Sequence, residues 1–196
     1  MLHESGVRKP GRPRSEKARK AILVSTLKLL RDSGFADFSV EAVAADANVG
    51  KATVYRWWPN KAALIVDAFA ASADEELRFP DTGSVLQDMQ SQMIHVIEIF
   101  QGSRGKILAN LIGAGQSDPE LIRAFRERFL FPRREEAYAT LRRGIQRGEL
   151  ARNIDLDVLL DSLYGPIYMR FLIGHRDLSV DFAKKVCRSV MHGYMQ

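Results

Sequence analysis

Large polar and aromatic side chains are concentrated in one short stretch, Val49–Lys61, which reads VGKATVYRWWPNK. They provide hydrogen-bond donors, a methyl group and aromatic edges around Val54, which is expected to be buried. Groups of these kinds can contact base edges and phosphates in the major groove of DNA. The candidate contact residues are Lys51, Thr53, Tyr55, Arg56 and Trp57.

Two short helices are predicted to position these side chains. The first begins at Ser39, a good N-cap residue, and the second is closed by Pro59. Two helices joined by three or four residues have the dimensions of a helix-turn-helix. If their apolar residues face inward, helical spacing turns the polar set outward. The predicted inward residues are Val40, Val43, Ala44, Val49 and Val54.

The net positive charge of the chain lies in its first third. Residues 1–61 contain twelve Lys or Arg against six Asp or Glu, whereas residues 62–196 contain seventeen against eighteen. This asymmetry predicts a polyanion-binding head on a neutral body.

A basic arm precedes the first predicted helix. Arg8–Lys20 carries seven basic residues and one acidic residue, and its Gly-Arg-Pro core resembles an AT-hook. Proline-flanked arginine in an extended chain fits a narrow A·T-rich minor groove, which makes Arg12 and Arg14 candidate contacts. The alternative interpretation is a solvated basic tail.

Lys61 stands in the first turn of the helix predicted to begin at Asn60. A cation there opposes the helix dipole by about 0.3–1 kcal/mol, but a phosphate bound at the helix start reverses that sign. Lys61 is therefore a candidate phosphate contact, with an ordinary surface lysine as the alternative.

Helical periodicity dominates the chain, and the sequence predicts an all-α fold of about nine helices. We expect a flexible arm over 1–14, a helix-turn-helix domain over 15–70 and a ligand-binding and dimerisation body over 71–196. Pro132 is expected to kink or break a long helix, and Gly165-Pro166 to bend a later one. The helices predicted after the first four span about 84–101, 104–115, 118–147, 156–174 and 179–194.

The segment FSVEAVAADANVGKATVYRWWPNKAALIVDAF closely resembles the DNA-binding domain of the tetracycline-repressor-like (TetR/AcrR) regulators. The resemblance covers about residues 15–70. It rests on Phe-Ser before the second helix, V-G-K-x-T-x-Y-R-W in the third and N-K-x-x-L at the start of the fourth.

This resemblance implies a homodimer that binds a near-palindromic DNA operator, with one helix-turn-helix in each subunit. It places Tyr55 and Lys61 near phosphates, and Ser39 and Val40 near the DNA backbone at the start of the second helix. Family members often have histidine where this chain has Trp57, so base contact and packing both remain open for that residue.

The body is expected to bind a small, hydrophobic molecule that releases the operator. Methionine and aromatic residues at helical spacing are the ligand candidates, with ordinary core packing as the alternative. They are Met89, Met93, Phe100, Phe125, Phe129 and Tyr138.

In the family, the last two helices usually pair with those of the second subunit as a four-helix bundle. Apolar residues recur at helical spacing in both of these helices here, with intrachain core as the alternative role. The interface candidates are Leu159, Leu163, Ile167, Phe171, Phe182, Val186, Val190 and Tyr194.

An enzyme is not expected. The four histidines are scattered, and the chain has no G-x-S-x-G motif and no phosphate-binding loop. No metal and no cofactor are expected. An architectural, sequence-indifferent DNA-binding protein and a ligand-independent regulator remain alternatives, and repression is favoured over activation because no segment resembles a polymerase-contacting extension.

A cytoplasmic protein is expected. The single Cys187 cannot form an internal disulfide and fits a reducing compartment. No apolar run approaches the length of a membrane span, and the first residues contain no apolar segment typical of a signal peptide.

Overall fold

The computed structural model describes residues 15–35 and 37–195, and these fold as an all-α protein, as predicted. Arg12 and Arg14 lie outside the described residues. Within the described part there is no β-strand, and one isolated antiparallel bridge joins Leu150 to Met195. The α-helices are α1 (Glu16–Asp32), α2 (Val40–Asp46), α3 (Lys51–Trp57), α4 (Lys61–Ala73), α5 (Val85–Gln101), α6 (Ser103–Gly115), α7 (Pro119–Phe125), α8 (Phe131–Gln146), α9 (Leu156–Ile173) and α10 (Val180–His192).

A π-helical turn, Arg126–Leu130, joins α7 to α8 in one continuous helix. The described residues therefore form nine helices, in agreement with the predicted number. The expected break at Pro132 does not occur. In a regular α-helix the Pro132 ring would clash with the carbonyl of Arg128, and the wider π turn directly before it avoids that clash. Helix α9 likewise continues through Gly165-Pro166.

Side-chain caps explain why six of the helices begin where the sequence predicts. Each capping oxygen accepts a backbone N–H of the first turn, which stabilises a helix by about 1 kcal/mol. The bond from Ala63 N to Asn60 Oδ1, at 2.8 Å, fixes the start of α4. The capping residues are Ser15, Ser39, Asn60, Asp118, Asp155 and Ser179.

Helix α4 is buried on almost every side. Leu64, Ile65, Val66 and Phe69 are each no more than 1% exposed. The helix packs against α1 on one side, and against α7 and the π-helical turn on the other. Helix α4 therefore belongs to the core of both the N-terminal helices and the body and connects them, beside a smaller direct contact of α1 with α6.

Two of the three glycines of helix α6, Gly105 and Gly113, lie in opposite environments. A Cβ at Gly105 would lie only 1.9 to 2.8 Å from backbone atoms of Phe100, at the corner between α5 and α6, whereas a Cβ at Gly113 would meet nothing within 4 Å. We expect Gly105→Ala to lower the free energy of unfolding by about 1–3 kcal/mol, because a backbone cannot move aside easily. Gly113→Ala should raise it by about 0.5–1 kcal/mol. Urea denaturation measures both, and equal effects would contradict the close approach at this corner.

Candidate nucleic-acid interface

Helices α2 and α3 form the predicted helix-turn-helix. The turn contains Asn48 in the left-handed region, at φ 52°, which asparagine tolerates. The N–H of Val49 donates to the carbonyl of Ala44 at 2.9 Å and fixes the approach of the two helices. The predicted inward face is found as expected, since Val40, Val43, Ala44 and Val54 are buried and Val49 is half-buried.

The solvent side of α3 carries the predicted contact residues. Lys51, Tyr55 and Arg56 are exposed, and Thr53 is half-buried. Because α3 contains a single fully buried residue, Val54, most of its surface is left for contact with a partner. The structure therefore brings these four side chains together on one accessible helix surface.

Lys51 is paired with a carboxylate in the protein alone. Its ammonium group forms an ion pair with Glu41 of α2 and lies 5.7 Å from the centroid of the Tyr55 ring. The hydrogen bond between the two side chains lowers the pKa of Glu41 and raises the pKa of Lys51, so both stay charged at neutral pH. A nucleic acid that binds Lys51 must break or share this pair.

We expect Glu41→Gln to strengthen binding to any duplex DNA. The freed Lys51 can then neutralise one more phosphate, which steepens the log–log dependence of affinity on salt by about 0.9. Fluorescence anisotropy titrations at several salt concentrations measure this slope. Glu135→Gln removes the same charge from an exposed carboxylate of α8 and should leave the slope unchanged; equal slopes in the two variants would contradict the role of Glu41.

Trp57 is half-buried and packs against the core, which supports the packing interpretation for this residue. Its ring centroid lies 6.2 Å from that of Trp58, and the guanidinium of Arg19 lies 5.7 Å from the Trp57 ring. Trp57 therefore joins the end of α3 to α1.

Lys61 connects the start of α4 to the start of α2. Its ammonium group donates to the carbonyl of Phe38 at 2.9 Å and lies 5.3 Å from the Phe38 ring centroid. Ser39 beside it uses its hydroxyl to cap α2. The side chain of Val40 is only 5% exposed, so the predicted contact of Val40 with a DNA backbone is restricted to its main chain.

The body contains a cavity of about 550 Å³ between α4, α5, α6, the α7–α8 helix and α9. Three of the predicted ligand residues, Phe100, Phe125 and Phe129, line it. Met89 and Met93 do not line it and have no exposed surface, so they are core residues. Tyr138 also lies outside the lining, where its hydroxyl donates to Asp157 and accepts from Arg134. The ligand prediction is therefore corrected for Met89 and Met93 by their burial in the core, and for Tyr138 by its position outside the cavity lining.

The π-helical turn links this cavity to the end of α3. The indole N–H of Trp58 donates to Asp67 of α4 at 2.9 Å, and Arg128 of the π turn donates to both oxygens of the same carboxylate at 3.0 Å. The next residue, Phe129, lines the cavity and packs edge-to-face against Phe69, with ring centroids 5.0 Å apart. We refer to Trp58, Asp67 and Arg128 as the α3–α4–π relay.

The predicted interface residues divide into two groups. Leu159, Leu163 and Ile167 have no exposed surface within one chain, so they cannot contact a second chain and the interface prediction is corrected for them. The other five are half-buried and retain a surface that a partner could contact. They are Phe171, Phe182, Val186, Val190 and Tyr194.

An exposed apolar stripe, Val158, Met169, Leu172 and Ile173, follows the outer side of α9. Two of its residues, Met169 and Ile173, are 59% and 68% exposed. The small residues Ser162 and Gly165 lie between its ends at helical spacing. Large apolar side chains that are grouped and exposed are typical of a contact surface.

Two other kinds of site are absent from residues 15–35 and 37–195. No group of three or more His, Cys, Asp or Glu side chains there could hold a metal ion. None of the helices there is long and apolar enough to cross a membrane.

Both halves of the chain match models of one protein family. Residues 22–68 match "Bacterial regulatory proteins, tetR family", and residues 79–190 match "Tetracyclin repressor-like, C-terminal domain". The second match alone covers more than half of the chain.

Individual relatives agree with this assignment. The HTH-type transcriptional regulator YdeS of Bacillus subtilis is 40% identical over 94% of this chain and 93% of its own length. The DNA-binding transcriptional repressor TetR of Mycobacteroides abscessus is 32% identical over 82% of this chain and 85% of its own. Among solved structures, the TetR family transcription regulator SCO0332 is 33% identical, with a TM-score of 0.81 over 90% of this chain and 98% of that chain. The chain therefore belongs to the TetR family of DNA-binding transcriptional regulators.

Proposed function

We propose that this protein is a cytoplasmic, non-enzymatic repressor that binds a near-palindromic operator as a homodimer and is released from it by a small molecule. The observation that carries the proposal is the shared helix α4. It packs against the N-terminal helices on one side, and on the other it contacts the π-helical turn that lines the body cavity.

Contact with the operator is assigned to the solvent side of α3. Lys51, Thr53, Tyr55 and Arg56 supply donors and a methyl group within one helix, which suits base edges in the major groove. The ammonium group of Lys61, held beside the start of α2, is proposed to contact a phosphate. The arm residues Arg12 and Arg14 are proposed to add minor-groove contacts.

Dimerisation is assigned to the outer surface of α9 and α10. The exposed apolar stripe and the half-buried residues of α10 would become buried against the same surface of a second chain. Such an isologous pair presents two α3 helices with the two-fold symmetry that a palindromic operator requires. The operator half-sites would then lie about one helical turn of DNA apart.

Release is proposed to occur by a shift between two arrangements of the dimer. A molecule that enters the cavity contacts Phe129, whose neighbour Arg128 is bonded to Asp67 of α4. If the molecule binds tightly only to the arrangement in which the two α3 helices no longer match the half-sites, it lowers operator affinity.

The test is fluorescence anisotropy of the purified protein on a duplex from its own upstream region, beside a scrambled duplex of equal length. We expect the upstream duplex to bind more tightly by about three decades or more. Equal affinity for both duplexes would favour the architectural alternative. Specific binding that no small molecule weakens would favour a ligand-independent regulator.

A further inference from the structure

The polar groups of the cavity wall are few, and they fall into two sets. Most of the lining is aromatic or aliphatic, including Phe69, Phe79, Phe100, Ile112 and Phe129. One polar set is ionic and consists of Arg133, Arg134 and Asp161. The other is uncharged and consists of Gln92, Tyr164 and Tyr168.

The two arginines are already neutralised by the protein. Arg134 donates to Asp157 and to Asp161, each at 2.6 Å. Arg133 pairs with Asp74 and also, at 3.0 Å, with Glu136. Two cations thus meet four carboxylates at this end of the cavity. An anionic molecule would have to displace one of these carboxylates and would be repelled by the others.

The uncharged set offers hydrogen-bond donors. Among the described residues, the Tyr168 hydroxyl has no hydrogen-bond partner, although its side chain lines the cavity. Burial raises the pKa of Tyr168 to about 12, so the hydroxyl keeps its proton at neutral pH. The Gln92 amide donates only a long bond, 3.5 Å, to the carbonyl of Leu77, while its oxygen accepts from Tyr164.

We infer that the cavity binds an uncharged, largely apolar molecule that carries a hydrogen-bond acceptor, such as a ketone, ester or amide carbonyl, and that Tyr168 and Gln92 donate to this acceptor. The inference rests on the proposed function, because it identifies the chemistry of the molecule that would release the operator. A cavity of about 550 Å³ is within the range typical of small-molecule sites. A cation would have to compete with Arg133 and Arg134 for carboxylates that already accept their hydrogen bonds, whereas the Tyr168 hydroxyl is free to donate to a neutral acceptor.

The test compares three probes of similar chain length, 2-undecanone, decanoate and decylammonium, by isothermal titration calorimetry on the full chain at neutral pH. We expect the ketone to bind about tenfold or more tightly than either ion, because both ions would lose hydration without gaining an unpaired partner. Tyr168→Phe should weaken ketone binding about two- to tenfold, through the loss of one hydrogen bond. Tyr55→Phe is the matched control, since it removes the same hydroxyl from an exposed residue of α3 outside the cavity lining, and it should leave ketone binding unchanged.

The outcomes separate this inference from the proposed function. Tighter binding of decanoate or decylammonium, no binding of the ketone, or an unchanged ketone affinity in Tyr168→Phe would each overturn the inference. DNA anisotropy on the same samples tests the proposed function independently. A ketone that binds in a Tyr168-dependent manner but leaves operator affinity unchanged would support the inference and contradict release by this ligand class.

Discussion

Replacing Met169 and Ile173 together by glutamate is expected to produce a folded monomer that binds the operator about 10²–10⁴-fold more weakly than the unaltered chain. Both side chains are mostly exposed in one chain, at 59% and 68%, so the substitutions remove little intrachain packing. In the proposed dimer they would place four carboxylates in an apolar contact, where unpaired charges are strongly unfavourable. A monomer contacts only one half-site at a time. It therefore lacks the added affinity that a dimer gains by binding two linked half-sites together.

Sedimentation velocity measures the oligomeric state of this variant, and anisotropy measures its operator affinity. The control is Val24→Glu, which introduces the same charge at a residue of α1 that is 66% exposed; it should sediment like the unaltered chain. A Met169/Ile173 variant that remains dimeric would exclude the stripe on α9 as the dimer contact. A monomeric variant that keeps full operator affinity would instead contradict the dimeric mode of DNA binding.

Helical periodicity alone could not predict which apolar residues of α9 are available to a second chain. Helix α9 is apolar on more than one side, because Leu159 and Leu163 face the core while Val158 and Met169 face solvent. A spacing of three to four residues occurs in both the core-facing and the solvent-facing apolar residues, so it does not distinguish them. Only the packing of neighbouring helices decides which set is buried, and that information is not local to α9.

The helix-turn-helix could be predicted almost completely from local chemistry. Its helix starts are fixed by Ser39 and Asn60, whose side chains cap α2 and α4, and its turn by an asparagine that tolerates positive φ. Each of these signals lies within a few residues of the element it determines. Val54, the single buried residue of α3, was also sufficient to orient this helix.

The polar residues of the cavity could not be predicted in the same way. Gln92 of α5 and Tyr164 of α9 are separated by 72 positions, yet they share a hydrogen bond. Neither residue departs from an ordinary helical pattern, so no local signal distinguishes it. The π-helical turn was also missed, although Pro132 two residues after it was a usable signal, because a proline inside a continuous helix requires the preceding turn to adapt.

Asp67→Ala is expected to lower the free energy of unfolding by about 2–4 kcal/mol, and it tests the α3–α4–π relay. The substitution removes the acceptor of the Trp58 indole N–H and leaves that donor unpaired. Trp58 is only 1% exposed, so water cannot easily replace the lost acceptor. An unpaired buried donor costs about 1–3 kcal/mol. The guanidinium of Arg128 also loses its bidentate carboxylate, but its 37% exposure lets water replace part of that interaction. Asp67→Asn keeps an acceptor for Trp58 and should cost about half as much.

A matched control is available on the same pair of elements. Asp74, just after α4, binds Arg133 of α8 and is 53% exposed, so Asp74→Ala should cost no more than about 1 kcal/mol. Chemical denaturation of the three variants compares the costs directly. Equal losses for Asp67→Ala and Asp74→Ala would show that Asp67 contributes only as a surface ion pair.

Asp67 and Asp74 are also expected to differ in their effect on the release of the operator by a ligand, and this difference can be measured. Asp67→Asn weakens the bond between α4 and the π turn without removing α3 from its place, so operator binding in the absence of ligand should persist. The decrease in operator affinity caused by a cavity ligand should then be smaller by about 2–30-fold, which corresponds to a coupling of about 0.5–2 kcal/mol. Asp74→Asn should leave that decrease unchanged at saturating ligand, because Asp74 contacts neither Trp58 nor Arg128, and its partner Arg133 in the cavity wall affects only the affinity for the ligand. If both variants respond to ligand like the unaltered chain, the signal passes through the apolar packing of Phe69 against Phe129 instead, and Phe129 becomes the residue that connects the cavity to α4.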